Sequence, residues 1–270
     1  MKRKIVEKFT NCIIAVFYKN WFNPLFTLFF NFRFLPFHQA CRFPIYFYGR
    51  PQLLGAGSGT VRIDEGVVIK SGMIKINRKN ESPSHSGGQT EILFMGKSMV
   101  FKGEAEIGCG CRILSYGQSE IIFGAHFRMM NNNLIGSCSH LEFGDNVGLG
   151  HQNQIFDTNF HFVYYSDTKT VANNSAPIFI SNNCWITNRC TVLKGSHLPA
   201  YSVLGAGSTI NKNYSSEPEG TCFIGTPAKP KIRNYYRIRN KSVESKMYKF
   251  FKDNDTDVYF GEISKVAFDY

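Results

Sequence analysis

Toward the C-terminal third of the chain, aliphatic residues recur every six positions: Ile180, Ile186, Val192, Leu198, Leu204 and Ile210. Four residues after each comes Cys184, Cys190, Ser196, Ser202, Ser208 or Tyr214, mostly small side chains. A period of six is neither the helical period of about 3.6 nor the strand period of two, so amphipathic helices and half-buried strands do not account for it. It predicts a repeat architecture. Each unit reads as a short strand plus a turn, and three units make one triangular coil of a parallel β-helix. The aliphatic residue points inward and the small residue fills the corner. Such coils bury their apolar rows only by stacking, so none is stable alone.

The pattern returns upstream in shorter runs: Met95, Phe101, Ile107 and Ile113; Phe123, Met129 and Ile135; Phe143, Leu149 and Ile155. Met95-Gly96, Phe123-Gly124 and Phe143-Gly144 read as equivalent corners, and Ile63 and Ile69 as the start of the first coil. The competing fold is a β-sandwich. Breaks in the period locate the loops. Residues 77–90, rich in Ser, Gly and Asn with Pro83, form a polar excursion. Between Ile155 and Ile180 lie 25 positions where six would continue the coil, so a long loop over about 158–178 leaves one corner. The expected organisation is an N-terminal aromatic-rich helical segment over 1–50, a β-helix over 51–215, and a C-terminal extension over 216–270.

The N-terminal segment crowds Phe26, Phe29, Phe30, Phe32, Phe34 and Phe37 into a short stretch. Glu7, Lys8 and Lys19 interrupt the apolar run before it, and no small-residue cleavage site follows, which argues against a secretory leader. Asn23, Pro24, Asn31, Arg33 and Pro36 keep the Phe-rich stretch short of the roughly 20 residues that span a bilayer. The aromatics are expected to pack on the open end of the β-helix or on a neighbouring subunit. A second reading is peripheral contact of residues 1–40 with a membrane, with Lys2, Arg3, Lys4, Lys8 and Lys19 facing anionic lipid.

The net charge of +11 favours an anionic ligand or surface without selecting one. The basic residues are spread over the chain with some excess at both ends, and no nucleic-acid-binding module is present, so nucleic acid is not an expected partner. Eight cysteines show no CxxC pair and no zinc spacing, and no metal is expected. Cys111, Cys184 and Cys190 occupy the small inward position, which fits reduced thiols in a cytoplasmic protein.

Four pieces resemble the hexapeptide-repeat acyltransferases, especially the O-acetyltransferases that use acetyl-CoA on sugars. They are FGDNVGLG at 143–150, FDTNFH at 156–161, the run from Ile180 to Asn213, and IGTPAKPKIR at 224–233. A weaker match, NFRFLPFHQA at 31–40, looks like the lead-in of bacterial enzymes of surface polysaccharide assembly. The resemblance implies an all-β fold, a left-handed parallel β-helix of hexapeptide repeats, opposite to the usual right-handed crossover. It also implies a homotrimer whose acceptor and acetyl-CoA meet in grooves between subunits.

His161, at the opening of the long loop, stands where the family carries its catalytic histidine, and a neutral imidazole suits proton removal from an attacking hydroxyl. Asp157 either holds its tautomer or makes the turn. Asn132, flanked by Asn131 and Asn133, matches an acceptor-site asparagine that would steady the oxyanion, or belongs to an asparagine ladder at a turn. Trp185 matches an aromatic beside the acceptor and thioester groove, or packs at a subunit interface. His151 is a second candidate one unit before the loop, whereas His126, His140 and His197 read as outward or turn residues. Gly205, Ala206 and Gly207 leave room for the pantetheine arm. Lys212 and Lys229 match basic residues near the CoA phosphate, although Asn211 replaces the usual threonine before the first of them.

The expected function is acetyl-CoA-dependent O-acetylation of a sugar hydroxyl in bacterial surface or exopolysaccharide assembly, in the cytoplasm at the inner face of the membrane. The alternatives are N-acetylation of an amino-sugar nucleotide or antibiotic, and a non-catalytic polysaccharide-binding β-helix.

Overall fold

A computed structural model describes residues 21–79 and 88–269. The chain winds into three parallel sheets that form the faces of a triangular prism. Face 1 runs through Ile45–Phe47, Ile74–Arg78, Ala105–Gly108, Phe127–Met129, Gly148–Leu149, Trp185–Ile186, Val203–Leu204 and Cys222–Gly225, and the antiparallel strand Ala228–Ile232 closes it. Face 2 runs through Gln52–Ala56, Glu91–Phe94, Arg112–Ser115, Leu134–Ser137, Gln154–Phe156, Thr191–Leu193 and Thr209–Ile210. Face 3 runs through Thr60–Ile63, Ser98–Phe101, Glu120–Phe123, His140–Phe143, Ile178–Ile180 and His197–Leu198.

In-register pairing stacks one inward column per face. On face 1 the column is Phe47, Ile76, Ile107, Met129, Leu149, Ile186, Leu204 and Phe223. On face 2 it is Leu53, Ile92, Ile113, Ile135, Ile155, Val192 and Ile210. On face 3 it is Ile63, Phe101, Phe123, Phe143, Ile180 and Leu198. Apart from the partly buried Leu53, every member is buried. The Phe101, Phe123 and Phe143 rings form a ladder, with centroids 4.9 and 5.7 Å apart and planes within 19° and 5°. The compact residues at the fifth position of each unit, Cys184 through Tyr214, are buried as the period predicts.

The upstream register differs in two respects: Ile69 belongs to no strand and is only partly buried, face 1 resuming at Ile74–Arg78, and the count slips at Met95. Met95 is exposed, and Ile92 and Phe94 take the inward positions of their strand, because the strand period of two puts Met95 outside. Gly96 consequently sits at the corner between faces 2 and 3, against Ser115 and Ser119, while Gly124 and Gly144 stack at the corner between faces 3 and 1. The corner from face 2 to face 3 is longer than a hexad in these rungs, and counting by six cannot follow it. The rungs also pass both expected boundaries. Ile45–Phe47 already pairs within face 1, and Cys222–Gly225 continues it, since an unpaired edge strand would leave backbone groups without partners. The expected loop at 77–90 is tied at its ends by Asn77, whose Nδ2 donates to Tyr48 O (2.6 Å) and whose Oδ1 accepts from Thr90 N (2.9 Å). Its residues 80–87 lie outside the described residues.

Helices α1 (Pro24–Phe34) and α2 (Phe37–Ala40) close the N-terminal end of the prism. Phe30 packs on Phe47 and Phe34 on Phe94, at centroid distances of 4.8 and 5.7 Å. Buried polar side chains satisfy the first strand edges. Asn31 Nδ2 donates to Ile45 O (2.8 Å), and Thr27 Oγ1 accepts from Phe47 N (3.1 Å). Gln39 pairs with both backbone groups of Ile63 at 2.8 Å each. The aromatics thus cap the core as expected, although Leu25, Leu28, Phe29, Phe32 and Phe37 remain exposed. Among the described residues no helix is long and apolar enough to cross a membrane. The membrane-contact reading rests largely on residues 1–20, which lie outside the described residues.

At the other end Tyr214 Oη donates to Ala228 O (2.5 Å), and its ring packs on Phe223. The chain then runs back along the prism as an arm carrying α3 (Lys241–Asp253). Arg239 Nη2 donates to Asn183 O and Cys184 O, Tyr236 stacks on Phe268, and the Asp269 carboxylate accepts from Tyr201 Oη (2.6 Å).

The described cysteines are all free thiols. Burial pushes the Cys111 and Cys184 thiols up to about 12. The folded-state pKa of each is raised, so the thiolate is missing until the pH nears that value, and at pH 8 both groups are protonated and enclosed. Iodoacetamide at pH 8 is therefore expected to label the exposed Cys41 of the native protein while sparing Cys111 and Cys184, as read by peptide mass spectrometry. Labelling of all three at one rate would contradict this packing.

Candidate functional site

The long loop leaves face 2 after Phe156 and re-enters face 3 at Ile178, so it projects from the corner between those faces. Asp157 fixes its base. This fully buried carboxylate accepts from Ser137 Oγ (2.6 Å), Cys138 N (2.7 Å) and Ser139 N (2.9 Å), all on the corner of the preceding rung. Hydrogen bonds to an ionised acceptor are stronger than neutral ones, and three of them hold the loop's first residue to the rigid prism. The returning strand is held by Ala176 N, which donates to Asp157 O (2.9 Å), and by the bridge between Thr158 and Ser175. Beyond this base, Tyr164–Tyr165 and Thr170–Val171 form an antiparallel hairpin. Phe162, Tyr164, Tyr165 and Val171 of this excursion are exposed.

His161 sits between the anchored base and the hairpin. Its backbone N–H donates to Asn159 O (2.7 Å), and its side chain is exposed. The neighbouring Phe160 ring packs edge-on against Phe156 and Tyr116, at 5.8 and 5.9 Å. Gly136 makes room for this packing, because a Cβ there would lie 2.6 Å from the Phe156 ring. The Asp157 oxygens face the corner donors, which is the turn-forming geometry.

Asn131, Asn132, Asn133, His151, Gly205, Ala206 and Gly207 lie on a different edge, the corner between faces 1 and 2. Backbone bonds run up this edge from Asn132 N to Cys109 O, Gln152 N to Asn131 O, Arg189 N to His151 O and Gly207 N to Asn188 O. Asn132 has φ +61° and Gly207 φ +71°, the left-handed conformation that turns each corner. An amide ladder accompanies them. Asn133 Nδ2 donates to Gly150 O (2.7 Å) and its Oδ1 accepts from Asn153 N (2.9 Å), while Asn153 Oδ1 accepts from Cys190 N (2.8 Å). Asn131 Oδ1 accepts from Cys109 N (3.2 Å), and its buried Nδ2 has no acceptor among the described residues. His151 N donates to Asn188 Oδ1 (3.0 Å). Within one protomer the structure therefore gathers the asparagines, His151 and the glycine corner along one edge, and holds His161 on another.

At the C-terminal end of the prism, Lys212 lies 6.0 Å over the Tyr214 ring and Lys229 is exposed on the closing strand. Open space surrounds the site of a Cβ at Gly207, and Ala206 beside it is exposed. Trp185, on the outer side of face 1, lies under Arg237, whose guanidinium carbon is 4.6 Å from the ring centroid. Sequence reasoning overlooked Arg237 and Arg239. Their signal is the alternation Arg237-Ile238-Arg239, which puts both on one side of an extended segment.

These features define a parallel β-helix of hexapeptide units. No family model matches the chain. It is similar to the polySia-specific acetyltransferase NeuO, at 15% identity and a TM-score of 0.52, over 82% of this chain and 91% of that one. That likeness establishes the left-handed β-helical fold. It is also similar to the polysialic acid O-acetyltransferase OatWY, at 16% identity and a TM-score of 0.41, over 71% and 92% of the two chains. In sequence it is 32% identical over 114 residues to "Putative acetyltransferase C18B11.09c" of Schizosaccharomyces pombe, a match over 42% of this chain. The chain spans about half the length of that curated relative, 53%.

Replacing Asp157 with Ala strips two corner N–H groups and a hydroxyl of their acceptor. The expected loss of stability is about 2–4 kcal/mol, below the sum for three fully buried donors at about 1–3 kcal/mol each, because Cys138 and Ser139 are only partly buried and can reach water. Urea unfolding measures it, and limited proteolysis should show earlier cleavage within 158–175. A loss below about 1 kcal/mol would mean that the carboxylate does not anchor the loop.

Proposed function

We propose that this chain transfers an acetyl group from acetyl-CoA to a sugar hydroxyl, with His161 as general base. The observation that carries the reading is the placement of His161: an exposed imidazole on a loop whose base is clamped to a rigid rung by Asp157. The FDTNFH motif, the fold shared with NeuO and the fission-yeast relative named for acetyl transfer support the reaction class.

His161 takes the hydroxyl proton as the oxygen attacks the thioester carbonyl, giving a tetrahedral intermediate. The imidazolium then returns the proton to the departing CoA sulfur as the carbon–sulfur bond breaks, and the acetyl ester remains on the sugar. Asn132, or a corner amide beside it, donates to the oxyanion. Gly205, Ala206 and Gly207 give the pantetheine arm its clearance, and Lys212 and Lys229 meet the nucleotide phosphates. Asp157 acts as a positioning residue through the loop base.

The separation of His161 from Asn132 within one protomer supports a closed homotrimer. In a heterologous ring each subunit offers one edge to the unlike edge of the next, so the loop of one protomer faces the asparagine and glycine corner of its neighbour. We place the activity in surface polysaccharide assembly in the cytoplasm, at the inner face of the membrane.

His161→Ala is expected to slow acetyl transfer by about 10²–10⁴-fold with unchanged circular dichroism. The assay reads thiol release together with product mass. Wild-type rates in this variant would end the general-base role, and an amide product would turn the reading toward N-acetylation. A mixing experiment tests the shared site. When His161→Ala and Asn132→Ala chains are unfolded and refolded together, roughly a quarter of random interfaces regain both intact partners and activity reappears. If both groups act within one subunit, mixing restores nothing.

A further inference from the structure

The C-terminal arm builds a cleft on the outer side of face 1, over Trp185. Its volume is about 590 Å³, and its lining includes Arg128, Gly148 and Trp185 from face 1 and Arg237, Arg239 and Glu244 from the arm. Sites for small ligands occupy about 300–1,000 Å³, so it has room for a monosaccharide or a nucleotide.

Two arginines of the arm, Arg237 and Arg239, line this cleft. Arg237 makes no ion pair among the described residues, and its guanidinium rests on the Trp185 ring at 4.6 Å. Arg239 Nη2 donates to Asn183 O (2.8 Å) and Cys184 O (3.1 Å), which pins the guanidinium while its Nε and Nη1 N–H groups keep no acceptor among the described residues. Arg239 is half-buried, and Arg237 is open along one side, so the cleft is both built and reachable. Desolvation holds both guanidinium groups below the usual arginine range, Arg239 at about 10, and Arg128 pushes each further down. Glu244 opposes this at Arg237, and the Asp269 carboxylate opposes it at Arg239. An anion between Arg237 and Arg239 would relieve the mutual repulsion of these partly desolvated cations.

We propose that this cleft binds a small ligand carrying an anionic oxygen group, a carboxylate or a phosphate ester, seated between Arg237 and Arg239 beside Trp185. Planar guanidinium forks match both kinds of oxygen pair, which a set of lysines would not. The tryptophan supplies apolar area for the body of the ligand. The site does not depend on acetyl transfer, because it is defined by charge and shape alone.

The test is Trp185 fluorescence in the Trp21→Phe protein, titrated with inorganic phosphate, CoA, glucuronate and, as a neutral control, glucose. At least one anion is expected to give a saturable change that glucose does not and that weakens with added NaCl. Arg237→Met is expected to raise that Kd at least tenfold, whereas Arg62→Met, on face 3, leaves it unchanged. Arg237 donates no hydrogen bond to the described residues, so its loss spares the fold; circular dichroism confirms this. Binding of phosphate and CoA alone assigns a phosphate ester, binding of glucuronate alone assigns a carboxylate, and binding of all three assigns a general anion seat. No saturable response to any anion, or an equal Kd in Arg237→Met, overturns the proposal. The measurement involves no turnover, so it stands or falls separately from the acetyl-transfer reading.

Discussion

Every rung of this protein must lay its inward side chain directly on the one below. That requirement comes from the parallel ladders, in which Ile107, Met129 and Leu149 on face 1, or Ile113, Ile135 and Ile155 on face 2, are register partners. A slip of one residue would turn a whole row outward. The strands are short and the core is narrow, so specificity comes from the columns and the corners together. Left-handed residues such as Asn132, Gln152 and Arg189 recur at one corner, and Asn146, Asn183 and Tyr201 at another. The third corner, from face 2 to face 3, varies in length and carries the longest departure from the hexad, whereas the excursion between Arg78 and Glu91 leaves the corner between faces 1 and 2.

That variable corner explains how a rigid prism carries an exposed loop. An insertion between two rungs leaves both registers intact if its two ends are held as an ordinary corner would be. Asp157 does this by replacing lost backbone partners with a carboxylate that accepts from three donors of the rung below. Asn77 and Thr90 make an equivalent tie at the shorter excursion. In both cases a buried polar side chain supplies what the repeat omits. The N-terminal cap follows the same logic, with Asn31, Thr27 and Gln39 bonding to the open strand edges while Phe30 and Phe34 cover the core.

The sequence made the repeat legible wherever the hexad is uninterrupted: the six aliphatic positions from Ile180 to Ile210 are all buried, as are Cys184, Cys190 and Ser202. It misled at Met95, because a longer corner shifts the count and only strand pairing identifies Ile92 and Phe94 as the inward residues. Of the candidate site, the loop carrying His161 was legible from the break in period. The role of the Asp157 oxygens was not, because its partners Ser137, Cys138 and Ser139 lie a full rung earlier and are brought close only by stacking. Arg237 and Arg239 were missed for a related reason. They belong to an aperiodic arm, and only its return along face 1 sets them against Trp185 and Arg128.

The two edges of the prism constrain how copies can associate if they share one catalytic site. A twofold interface pairs a surface with itself, so it would bring loop to loop or asparagine corner to asparagine corner. Joining His161 to Asn132 requires contact between unlike edges, and such contacts either close into a ring or grow into a filament. Under the proposed reading, mechanism and assembly are one question: a general base on the loop would meet an acceptor held at the asparagine corner only where a neighbour supplies that opposite wall.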